Sequence, residues 1–158
     1  MAKKLARDLK CDFIDLDEAF ENQYKITVSD FFAKYGEELF RKMESELLKT
    51  TASYGDCVVA TGGGTPCFFD NIDWMNDNGV TIFVKVSPKT AADRIFHSKR
   101  KRPITDGKSI DELTAFVERH YAERLPFYEK AQITVKGEGL GRLKVRLFDS
   151  YLNSAAEL

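Results

Sequence analysis

Four short apolar runs most constrain what this chain can fold into: CDFID (Cys11–Asp15), CVVAT (Cys57–Thr61), VTIFVKV (Val80–Val86) and QITVK (Gln132–Lys136). They are rich in Val, Ile and Phe and mostly lack the polar alternation of a half-exposed sheet, so they predict strands covered on both faces. Longer segments with helical spacing separate them. After Gly36-Glu37, the residues Leu39, Phe40, Met43, Leu47 and Leu48 recur at steps of three and four, which predicts a helix from Glu37 to Ala52. Pro88 behind Ser87 opens a helix through Ala91, Ala92 and Ile95, and Ser109 with Glu112 forms a capping box ahead of Leu113, Phe116 and Val117. Strand alternating with helix predicts an α/β fold with a mainly parallel sheet.

The 158 residues, 43% of them hydrophobic and 12% aromatic, suit one domain with a sizeable core, and no repeat or linker divides residues 1–158. Lys and Arg number 24 against 25 Asp and Glu, so no global field argues for nucleic acid or an anionic membrane surface. No apolar stretch approaches the ~20 residues of a membrane span, and MAKKLARDLK is too polar for a signal peptide. Cys11, Cys57 and Cys67 form no CxxC pair and lie in or beside apolar runs, which suits reduced thiols. These features predict a soluble cytoplasmic protein without a metal cluster.

In such a fold, chemistry is expected where strands end and helices begin. The first strand ends in FIDLD. In an extended segment Asp15 and Asp17 would project from one side, one to order a hydrated magnesium ion and the other to accept a proton from a hydroxyl. The alternative is that Asp17 caps the helix beginning near Glu18 and Asp15 is solvated. On the helix after Gly36, counting from Phe40 puts Glu44 inside the apolar sector and Arg41 at its border. The two can pair at i, i+3, so that Glu44 orients the guanidinium toward a ligand anion or simply forms a structural salt bridge. TGGG follows the second strand. Its bare backbone lets a ligand approach the N–H groups, which can form an anion-binding concavity; the alternative is a tight turn demanding positive φ.

Further on, SKRKRPITDGKS carries Arg102 beside Pro103. It reads either as a solvated basic face or as a lid loop over residues 98–110 that closes on phosphates. Its GKS is not a Walker A loop, because G-x-x-x-x-G-K-[ST] needs glycine where Arg102 stands. ERLPFYEKA places Arg124 as another cation facing the crevice. His97 and His120 read as surface or helix residues and Trp74 as packing.

In this order FIDLD, GEELFRKMESE, TGGGTPC, RKRPIT and ERLPFYEKA resemble shikimate kinase, a small family among the nucleoside-monophosphate-kinase-like P-loop proteins. The likeness runs from about Lys3 to about Lys136. It implies a three-layer α/β/α fold, and transfer of the ATP γ-phosphate, with Mg2+, to the 3-hydroxyl of shikimate on the route to chorismate and the aromatic amino acids. It implies that Asp17 binds the shikimate hydroxyls and acts as base, that Asp15 lies near magnesium, and that Arg41 and Arg124 clamp the shikimate carboxylate. Gly62, Gly63 and Gly64 match the glycine loop against the ring, with Gly63 central. Glu44 matches the partner of Arg41, Phe32 and Phe40 match aromatics lining the pocket, and Arg102 matches the lid arginine on the ATP phosphates. The expected partners are shikimate and ATP, and the expected state is a monomer.

The sequence departs from the family pattern at its start. The family opens with a strand inside the sheet and a Walker A loop, whereas MAKKLARDLKCDFIDLD begins in what matches the helix after that loop. The expectation is that these two elements are missing from the chain through a mis-set start, and that without them phosphoryl transfer is impaired. Two further readings stay open: a non-catalytic shikimate-binding or interaction protein that has shed its nucleotide site, and a kinase for another small polyol.

Overall fold

The structure is a computed structural model, and it describes residues 2–97 and 109–137. Helix α1 (Ala2–Leu9) leads into strand β1 (Asp12–Asp15), and helices α2 (Leu16–Tyr24), α3 (Val28–Tyr35) and α4 (Glu37–Thr50) follow without an intervening strand. Strand β2 (Cys57–Ala60), a short 3-10 turn (Thr65–Cys67), helix α5 (Asn71–Asn78) and strand β3 (Ile82–Lys85) come next. Helices α6 (Pro88–Phe96) and α7 (Ile110–Tyr128) precede strand β4 (Ile133–Lys136). All four expected strands are present, each shortened by a residue or more at its ends, and the helix expected to reach Ala52 tightens into a 3-10 turn after Thr50.

The strands pair in parallel. β1 lies beside β2 with Asp12 opposite Cys57 and Asp15 opposite Ala60, and β3 lies beside β4 with Ile82 opposite Ile133. Among the described residues the two pairs are not hydrogen-bonded to each other. The expected cover on both faces is therefore only partly reached: Val58, Val59, Ile82, Phe83 and Val84 are all half-buried. A strand with one neighbour keeps an open edge, and its side chains lack the same-face packing that a second neighbour supplies.

The core lies among α2, α3 and α4, where Leu16, Phe20, Phe31, Phe40, Leu47 and Leu48 are buried together. Phe20 is central to it. Its ring meets Phe31 edge-on at 5.1 Å and Phe40 at 4.9 Å, the tilted geometry that aromatic quadrupoles favour. Gly36 alone joins α3 to α4, at φ 82°, a left-handed conformation that a side chain would disfavour. That one-residue corner brings Phe32 and Phe40 against each other at 4.5 Å and turns the buried stripe of α4 toward the end of β2.

Local signals hold α6 and α7. Ser87 accepts from the Thr90 N–H ahead of Pro88, and both halves of the Ser109–Glu112 capping box form. No described helix is long and apolar enough to cross a membrane. Parallel pairing sets the carboxyl ends of β1 and β2 side by side, so the segments leaving Asp15 and Ala60 emerge at one edge.

Candidate functional site

At that edge the three glycines of TGGG each face a different part of one polar cluster. A methyl group on Gly62 would lie 3.3 Å from Thr65 Oγ1, 3.6 Å from Glu44 Oε1 and 3.7 Å from Asp17 Oδ1. On Gly63 it would lie 3.2 Å from the Tyr128 hydroxyl and 3.5 Å from Arg124 Nη1. On Gly64 it would collide with the Arg41 guanidinium, falling 2.7 Å from Cζ. None of the three has positive φ, so the turn alternative is set aside. The loop is bare because side chains from α2, α4 and α7 converge on it. The structure thus brings Asp17, Arg41, Glu44 and Arg124 together around Gly62, Gly63 and Gly64.

The carbonyls of this loop are occupied. Thr65 N–H donates to Gly62 O at 3.2 Å, the Tyr128 hydroxyl to Gly63 O at 2.6 Å and Cys67 N–H to Gly64 O at 2.9 Å. The N–H groups of Gly62, Gly63 and Gly64 donate to no partner among the described residues. Such a run of N–H groups, with carbonyls turned aside, favours an anion.

Arg41 is held from every side. Its Nε and Nη2 both donate to Glu37 Oε1 at 3.1 Å, and Nη1 donates to Glu44 Oε2 at 2.8 Å. Glu44, 2% exposed, takes a second hydrogen bond on Oε1 from the Thr65 hydroxyl at 2.7 Å. Thr65 in turn is pinned by Asn71, whose Nδ2 donates to its carbonyl at 2.8 Å, and Ser45 donates to Asn71 Oδ1 at 2.6 Å. The guanidinium also lies over Phe68, Phe40 and Phe32, with Cζ 4.5, 5.2 and 5.7 Å from the ring centroids. Three of the five guanidinium N–H donors are engaged in this way, which fixes one orientation of Arg41 and leaves a donor on each of Nη1 and Nη2 for a ligand anion. Phe40 is 2% exposed, so it belongs to the core and supports Arg41 from beneath, while Phe32 is half-buried beside it.

Electrostatics show the same convergence. Burial pushes the Cys67 thiol up, with Arg124 and then Arg41 pulling it down and Glu44 raising it. The Tyr128 hydroxyl is likewise pushed up by burial, and the Arg124 guanidinium beside it acts in the opposite direction.

The two aspartates divide differently from either expectation. The strand ends at Asp15, so Asp17 does not share its extended face but stands in the first turn of α2. Asp15 is the helix cap: its Oδ1 accepts from the N–H groups of Asp17 and Glu18 at 3.1 and 3.3 Å. This leaves Asp17 turned toward Gly62. Among the described residues no group of three metal-ligating side chains forms. The described residues hold no Walker A loop, so by themselves they do not fit magnesium and the ATP phosphates. Arg102 and nearly all of the expected lid, 98–110, lie outside the described residues.

Sequence reasoning assigned no role to Glu37, Thr65, Phe68 or Tyr128. Glu37 stood four residues before Arg41 and was findable by helix spacing. Tyr128, four residues after Arg124, was findable in the same way, whereas Thr65 and Phe68 meet the site only through the fold.

Comparison with known proteins identifies the family. The family model for shikimate kinase matches residues 1–146. A shikimate kinase of Parabacteroides distasonis is 44% identical over 138 residues, covering 87% of this chain and 80% of the relative. The crystal structure of shikimate kinase from Bacteroides thetaiotaomicron superposes with a TM-score of 0.84 at 38% identity, covering 99% of this chain and 89% of that one. In fold alone, shikimate kinase from Acinetobacter baumannii in complex with shikimate is similar at a TM-score of 0.77 and 24% identity, covering 99% and 84%. Matched over most of its length by the family model, and by a relative of which it spans four-fifths, the chain belongs to the shikimate kinase family.

Proposed function

We propose that the described residues form the acceptor side of ATP-dependent phosphoryl transfer to the 3-hydroxyl of shikimate. The observation that carries the reading is that one glycine loop gathers Arg41 against Gly64, Arg124 against Gly63 and Asp17 beside Gly62. Two guanidinium groups and a run of N–H donors suit a carboxylate far better than a neutral sugar, which argues against an uncharged polyol. Glu44 and Thr65 hold Arg41 ready, so ordering it costs little on binding.

With the carboxylate anchored at one end of the ring, the hydroxyls at the other reach Asp17. Its carboxylate fixes their orientation and accepts the proton of the attacking hydroxyl. Members of the family use ATP, generally with Mg2+, and that pair, when bound, would supply the phosphoryl group and neutralise its charge.

Titration calorimetry tests the acceptor side directly. Shikimate is expected to bind the 158-residue chain saturably, whereas Mg-ATP gives no saturable heat, since these 158 residues contain no G-x-x-x-x-G-K-[ST]. Failure to bind shikimate would contradict the acceptor assignment, and tight Mg-ATP binding would contradict the nucleotide expectation.

A further inference from the structure

Tyr128 joins two parts of the pocket that are distant in sequence. It is the last residue of α7, four positions after Arg124, so both side chains leave the same face of that helix. Its ring packs 5.1 Å from Phe83 of β3, which fixes where the hydroxyl points. Both the Tyr128 hydroxyl and Arg124 Nη1 come within contact distance of the space above Gly63.

The hydrogen bonds of the loop are not equivalent. Gly62 O and Gly64 O are satisfied by Thr65 N–H and Cys67 N–H, turn bonds three residues along the chain that the loop can make by itself. Gly63 O accepts a long, weak bond from the Cys67 thiol at 3.8 Å, but takes its short bond, at 2.6 Å, from α7, across 65 positions of sequence. A peptide plane rotates as a unit, so capturing this carbonyl also fixes the direction of the Gly64 N–H.

We infer that Tyr128 is a positioning residue for the substrate carboxylate, holding the Gly63–Gly64 peptide and Arg124 in the one arrangement in which N–H edge and guanidinium converge. The inference rests on the acceptor reading above. It differs from a structural role because only the charged end of the ligand depends on it.

The test compares shikimate with its neutral methyl ester on wild type and Tyr128→Phe, by calorimetry, with the melting temperature as a fold control. The variant keeps the ring against Phe83, and any inactive fraction cancels in the ratio of the two affinities. Wild type is expected to prefer the acid strongly. Tyr128→Phe is expected to weaken shikimate by about fivefold, the scale of one lost hydrogen bond, and the ester by less than about twofold. Equal weakening of both ligands, or no change in either, overturns the inference. A wild-type chain that does not prefer the acid overturns the acceptor reading itself, and with it this inference.

Discussion

At the scale of single residues, the glycines show how a bare backbone can have two unrelated causes. Gly36 is needed for its positive φ at a corner, with nothing packed against it, whereas Gly64 has an ordinary φ and no room. Gly64→Ala is therefore expected to displace Arg41 and weaken shikimate binding by about tenfold or more, an overpacking cost of ~1–3 kcal/mol delivered at the site. Gly62→Ala, whose closest contact would be 3.3 Å, is expected to be milder. A calorimetric comparison of the two checks this order. The tyrosine gives a pH signature. Burial raises the Tyr128 pKa, so the neutral phenol favours the fold below the ordinary value of about 10, and that contribution is lost as pH rises through the raised one. Shikimate affinity is accordingly expected to show no loss from Tyr128 ionisation between about pH 7 and about pH 9. A fall across that range that Tyr128→Phe abolishes would contradict the assignment.

At the scale of elements, α4 does two tasks with one stripe. Phe40, Leu47 and Leu48 complete the core, while Arg41 and Glu44 lie on the same buried face and turn to the loop. Removing one member of this pair strands the other. Glu44→Ala is expected to destabilise the fold by ~3–5 kcal/mol in chemical denaturation, well beyond the effect of truncating an exposed ion pair such as Lys3–Glu18. α7 spans the other side and carries Arg124 near its end. Ser109→Ala at its start is expected to cost about 1 kcal/mol by the same measurement, with shikimate affinity little changed, since the cap is at the opposite end of the helix from Arg124. These elements were legible because their signals are local: the spacing that placed Glu44 inside the apolar sector and the capping box both act within one turn. Asp15 was misjudged for a related reason. The strand ends at Asp15 as expected, but α2 starts two residues before Glu18, and that shift decides which aspartate caps it; element ends are the least certain part of a sequence reading.

At the scale of the whole molecule, the pocket exists because parallel pairing sets the ends of β1 and β2 together and α7 returns across them. Sequence spacing could place FIDLD, TGGG and the two arginines on separate loops, and the family resemblance put them in one site. Neither showed that Thr65, Asn71 and Ser45 tie the glycine loop to α4, nor that Phe68 covers Arg41, because those contacts join segments 21 or more positions apart or depend on a turn's exact path. The split of the strands into two pairs, with apolar residues half-buried, was likewise invisible in runs that read as fully covered. The claim that unites these scales is that two arginines from different helices anchor one carboxylate over the glycine loop. Titration of shikimate into wild type, Arg41→Ala and Arg124→Ala tests it most directly. The account predicts saturable binding by wild type and a loss of about 2–5 kcal/mol in each variant, the scale of a truncated buried charge contact. An affinity unchanged in either variant would contradict it.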